Sequence, residues 1–172
     1  MRVTITKKIF STKLAVEKCF IVCNPSIPPE LNANVRMEVG FNNLIHFEYE
    51  LFQSKFHLEE SIIGKIYFVE VNMKIKTVEV HLIKIESIGS GMNKKTDLNL
   101  ISKFELIDGN PAAKEIVPIR MFISSFENLT PTYREINNMV SVKYFLKFVV
   151  INEDDKSFFK QQEITLWRKN II

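Results

Sequence analysis

The chain has 172 residues, 46% hydrophobic and 25% charged, with a formal net charge of +3. That length supports one large domain or two very small ones, with a core that needs neither metal nor disulfide. So mild a positive excess falls short of a nucleic-acid surface, and 14 phenylalanines beside 5 glycines favour an aromatic-rich β core over a glycine-lined nucleotide site.

Period-2 alternation dominates from the first residues. Val3, Ile5 and Ile9 alternate with Arg2, Thr4, Thr6 and Lys8, without the apolar run of a signal peptide. Cys19 and Cys23 follow. On one strand they would stand roughly 13 Å apart, against the roughly 4.4–6.8 Å a disulfide needs. They read as free thiols packed as small apolar groups in a reducing compartment. The proline-rich stretch Cys23–Asn32 is a connection, and Val35, Met37 and Val39 then alternate with Asn34, Arg36 and Glu38 as a half-buried strand.

The run Lys65–Glu86 carries Tyr67, Val69, Val71, Met73 and Ile75 on one face, then switches phase to Val78, Val80 and Leu82. A straight strand of that length would span about 70 Å. No glycine, proline or asparagine lies at the switch, so a bulge near Lys76–Thr77 is expected to bend one long strand. Ile88–Asp97 reads as a polar, glycine-containing loop. Asp108-Gly109 is a hairpin signal between Leu98–Ile107 and Glu115–Ile123. Leu129–Asn138 could hold one helical turn capped by Thr130 ahead of Pro131. Val140, Val142, Tyr144, Leu146, Phe148 and Val150 form a further apolar face. These elements predict an all-β sandwich.

Catalytic chemistry is hard to find. His46, His57 and His81 form no metal-ligand spacing, no glycine-rich phosphate loop or nucleophile elbow is present, and a lone Lys18 beside Cys19 does not by itself support a catalytic thiol. Two features point to binding instead. Leu106 and Ile107 precede the Asp108-Gly109 turn, and apolar side chains at a rigid tip suit insertion into a partner's groove. Burial under a neighbouring loop is the other reading. In the strand FFKQQEITLWRK, Phe159 shares a face with Gln161 and Glu163, so it is either a lid on the core or an anchor for a peptide.

The stretches MEVG, SKFHLEE, GKIYF, KFELIDGNP, IVPIRMF, LTPTYREINN, VSVKYFLKFVVINEDD and FFKQQEITLWRK occur in that order along the chain. Together they resemble the arrestin-like subunit of retromer, the vacuolar protein sorting-associated protein 26 family. The resemblance implies a curved arrestin-like β-sandwich. Residues 1–172 would be a single C-terminal arrestin-like domain, without the family's N-terminal domain and polar tail. It implies no enzyme activity and no cofactor, and a cytoplasmic protein peripheral to endosomal membranes, with membrane association indirect. The partners implied are the large α-solenoid subunit of retromer, sorting nexins and the cytosolic tails of transmembrane cargo, and no nucleic acid. By the resemblance, Leu106, Ile107, Asp108 and Gly109 make the solenoid contact. Val39, Met37 and Phe159 belong to the cargo and sorting-nexin surface, with Asn34–Val39 offering its edge to an extended peptide. An arrestin-like trafficking adaptor outside retromer is the alternative.

Overall fold

The computed structural model describes residues 2–6, 13–20, 22, 29–127, 129–137 and 139–169. β1 (Arg2–Thr6) and β2 (Lys13–Glu17) pair antiparallel with each other and, among the described residues, share no sheet with another strand. Cys19 is exposed rather than packed as expected, since the segment after β2 has no layer over it. Cys23 and Ile9 lie outside the described residues.

The remaining strands form the two layers of a sandwich. One is a four-stranded sheet in the order β3 (Val35–Phe41), β4 (Ile45–Leu51), β6 (Ser61–Val71), β9 (Ile116–Phe122). The other runs β5 (Lys55–His57), β12 (Ser157–Trp167), β11 (Val140–Asn152), β7 (Ile75–Ile88), β8 (Lys95–Asp108). β10 (Tyr133–Ile136) joins β11 as the sixth strand of that sheet, opposite Val142 and Val140, where β12 no longer reaches. The layers meet through aromatic rings. Tyr49 of β4 stacks on Phe148 of β11 at 4.2 Å, and Phe41 of β3 meets Phe158 of β12 at 5.4 Å. The alternation in β11 does what the sequence predicts over most of its length. Val142, Tyr144, Leu146, Phe148 and Val150 are all buried, and Val140 at the strand's start is exposed. The chain is all-β and sandwich-like, as the sequence implies.

Three further expectations fail in whole or in part, each for a non-local reason. Lys65–Glu86 is not one strand, although a register shift does fall at Lys76, between Ile75 and Thr77. It breaks at Asn72–Lys74, and β6 and β7 lie in opposite sheets. The Asn72 N–H donates to the Leu44 carbonyl and its side-chain amide to the Asn43 carbonyl, so the crossing is tied to the β3–β4 turn. The buried face of β6 is Ile62, Ile66 and Phe68, with Tyr67, Val69 and Val71 only half-buried. Both faces of this run are apolar, so period alone could not choose between them.

Asp108-Gly109 is not a hairpin either, because β8 and β9 belong to different sheets. Gly109 takes φ +100°, its N–H donates to the Lys76 carbonyl at 2.7 Å, and the Asn110 side-chain oxygen accepts from the Ile75 N–H at 2.9 Å. The two sheet-switching segments therefore cross side by side and brace each other. The helical turn in Leu129–Asn138 is replaced by β10, which the open edge of β11 recruits. Thr130 caps nothing. Its N–H donates to the Tyr144 hydroxyl at 3.1 Å. Asn138 lies outside the described residues.

Candidate protein-docking surface

The register of the six-stranded sheet places the two features singled out in the sequence at one end of it. Phe159 of β12 stands opposite Val149, Val149 opposite Glu79, and Glu79 opposite Glu105. Three strand spacings separate the ends of that row, about 14 Å. Leu106 and Ile107 lie just beyond Glu105, at the tip where β8 ends.

The tip is held from several sides. Besides the Gly109 and Asn110 bonds, Lys114 adopts φ +67° and donates its N–H to the Phe68 carbonyl, while the Phe68 N–H donates to the Glu115 carbonyl. The Glu115 carboxylate accepts from the Ala112 N–H at 2.6 Å, and Pro111 is buried. Leu106 and Ile107 are half-buried and pack against the core, and Asp108 is exposed. The side chains are thus neither wholly in solvent nor wholly inside. A tip so braced presents its exposed surface with little conformational entropy left to lose on binding.

Phe159 is 51% exposed, and the Lys147 ammonium sits 4.0 Å from the centre of its ring. Its neighbour Phe158 faces the other way, onto Phe41. The aromatic that looked misplaced in a polar face does stand in water. Of the other residues assigned to this surface, Met37 is half-buried, whereas Val39 is 5% exposed with its side chain in the core. Val39 can therefore contribute backbone but no side chain to a bound peptide. That backbone is available. β3 is an edge strand of its sheet, and β12 from Ser157 to Ile164 pairs only with β11. The Phe41–Phe158 contact joins these two strands, and unpaired edges accept an added strand.

Sequence reasoning missed Glu79, whose carboxylate is nearly buried on the outer face. It bonds the Lys103 ammonium at 2.7 Å and His81 Nε2 at 2.8 Å. Burial alone would push this carboxyl up, but the hydrogen bonds from Lys103 and His81 outweigh it and hold the group below its ordinary 4.5. His81 lies two residues along the same strand, and Lys103 stands opposite His81, so only the Lys103 contact needs the strands to be aligned. His46 likewise pairs with Glu38 at 2.7 Å, and His57 packs edge-on against Trp167. Among the described residues no three His, Cys, Asp or Glu side chains group to hold a metal ion, and no helix is long and apolar enough to cross a membrane.

The family model described as vacuolar protein sorting-associated protein 26 matches residues 1–155. The chain belongs to the vacuolar protein sorting-associated protein 26 family. It is 48% identical over 171 residues to the vacuolar protein sorting-associated protein 26 of Dictyostelium discoideum, covering 99% of this chain and 48% of that protein. The Plasmodium falciparum relative of that name is 44% identical over 95% of this chain and 55% of its own length. Human vacuolar protein sorting-associated protein 26B is 43% identical over 100% of this chain and 50% of its own length. The chain thus spans about half the length of the curated relatives it matches.

Proposed function

We propose that this chain is the C-terminal arrestin-like domain of a retromer coat subunit, a non-enzymatic module that joins the large α-solenoid subunit to sorting nexins and cargo tails on endosomal membranes. In this reading the tip at Leu106, Ile107, Asp108 and Gly109 docks in a groove of the solenoid. An extended cargo segment adds to the open β3 edge, and Phe159 receives one of its aliphatic side chains. The observation that carries the proposal is the register row from Glu105 to Phe159. It sets a braced apolar tip and a water-facing aromatic on one end of one rigid sheet, so that two partners can be held at a fixed separation.

The test is calorimetric titration of the N-terminal helices of the solenoid subunit. Leu106→Asp with Ile107→Asn is expected to abolish the binding heat. Because both side chains also touch the core, Asp108→Arg at the exposed position serves as the variant that spares packing, and it too should weaken binding. Undiminished affinity in both variants, with melting curves showing folded protein, removes the docking assignment.

A further inference from the structure

At its other end the six-stranded sheet closes in a hairpin, β7 to β8, through Gly89–Lys94. The turn depends on glycine, with φ +94° at Gly89 and +56° at Gly91, and a single 3-10 turn spans Gly91–Asn93. The Gly89 N–H donates to the Met139 carbonyl at 2.7 Å, which fixes the loop against the approach to β11. Between them lies a pocket of about 260 Å³ whose lining includes Ser87, Ser90, Ser141 and Lys94. No carboxylate lines it. Ser87 is shared with Thr96 at 3.1 Å. Of the nearest acids, Glu86 pairs with Lys84 and Asp97 accepts from Asn99. Among the described residues no ion pair includes Lys94 or Lys95.

The rim of this polar pocket is apolar. Met92 at the hairpin tip is fully exposed, and Ile88 and Met139 are each more than half exposed. Apolar side chains gathered in water around a cationic pocket need a partner that supplies both hydrocarbon and negative charge.

We propose that this hairpin end docks directly on an anionic membrane, with a lipid phosphate seated between Lys94 and Ser90 and Met92 entering the boundary between headgroups and acyl chains. The hydroxyls and ammonium match a phosphate's acceptor oxygens, and the absence of a lining carboxylate leaves the anion unopposed. The exposed Met92, Ile88 and Met139 separate a bilayer from phosphate in solution, since a soluble anion would leave them in water. Lys95 adds to the attraction for an anionic leaflet. β8 spans from this hairpin to the protein-docking tip, about 40 Å, so membrane and partner contacts do not compete. This inference does not depend on the retromer reading.

Co-sedimentation of the full chain with vesicles tests it. The expected result is binding to phosphatidylcholine vesicles doped with phosphatidylserine or with a phosphatidylinositol monophosphate. Pure phosphatidylcholine should bind poorly, and added salt should weaken the bound fraction. Lys94→Gln and Lys95→Gln should each cost roughly fivefold, and Met92→Asp, at a position too exposed to affect folding, should remove most of the remainder. The fluorescence of a Met92→Trp variant should be quenched by lipids brominated on the acyl chain. Equal binding to neutral phosphatidylcholine vesicles overturns the requirement for an anionic membrane. Free inositol phosphate binding as tightly as vesicles, with Met92→Asp unaffected, overturns the lipid in favour of a soluble anion. A Met92→Trp signal that brominated lipid leaves unchanged overturns insertion, and no sedimentation with any vesicle overturns the whole proposal.

Discussion

Phe159→Asp separates an exposed binding residue from a core residue, and the structure sets the size of the effect. The ring is 51% exposed, so its burial contributes about half of the ~1.5–3 kcal/mol of a fully buried aromatic, roughly 1 kcal/mol. Contact with Lys147 at 4.0 Å adds about 0.5–1 kcal/mol at such a site. An aspartate keeps Lys147 as an ionic partner and returns part of that. The expected loss is therefore about 1–2 kcal/mol, a fall in Tm of about 2–8 °C for a chain of this size. Val149 faces Phe159 across the strands and is 5% exposed, so Val149→Asp buries an unpaired carboxyl and should cost more than about 4 kcal/mol. Thermal melts of the two variants make the comparison. Titration of a cargo-tail peptide together with a sorting nexin reads function, where Phe159→Asp should bind at least tenfold more weakly while solenoid binding is unchanged. A Phe159→Asp protein as unstable as Val149→Asp would show that Phe159 is core and would refute the cargo assignment.

Gly64→Ala should be severely destabilising, by about 2–3 kcal/mol or more, because the new Cβ would stand 2.4 Å from the Glu50 carbonyl oxygen on the paired strand. Gly40→Ala, with nothing within 4 Å, should change the urea midpoint little, and equal effects would contradict the β4–β6 spacing. Glu79 is held below its ordinary 4.5 in the folded chain, so its contribution is present above that pH in full and is lost as pH falls through the folded value. Urea midpoints should hold steady from neutral pH and drop under acid, with a smaller drop in Glu79→Gln; identical pH profiles would show that the Lys103 and His81 bonds do not stabilise the fold. Tyr144→Phe removes the hydroxyl that accepts the Thr130 N–H and should cost about 1 kcal/mol by urea titration.

How far each site was legible depended on whether its signal was local. Phe159 stood out because a polar strand face flanked it, and that face is indeed in water. Val39 drew attention through a motif shared with relatives, yet its side chain is core, because inside–outside alternation along β3 is set by the facing sheet. Glu79 was invisible, since its partner Lys103 is distant in sequence and becomes a neighbour only through the β7–β8 register. Ile88–Asp97 read as a plain polar loop, and the pocket it makes with Ser141 exists only because β11 returns alongside.

Side-chain alternation alone determined that this chain is built of strands, that Val142–Val150 faces a core and that the C-terminal strand carries an outlying aromatic. Strand periodicity is a property of neighbouring residues, and sequence displays it directly. Which strands share a sheet was decided only in three dimensions. Asn72–Lys74, just before the expected bulge, and Gly109, in the expected hairpin, carry the chain between layers. Their backbone N–H groups donate to carbonyls far along the chain, and those long-range partners choose between a turn within one sheet and a crossing between two.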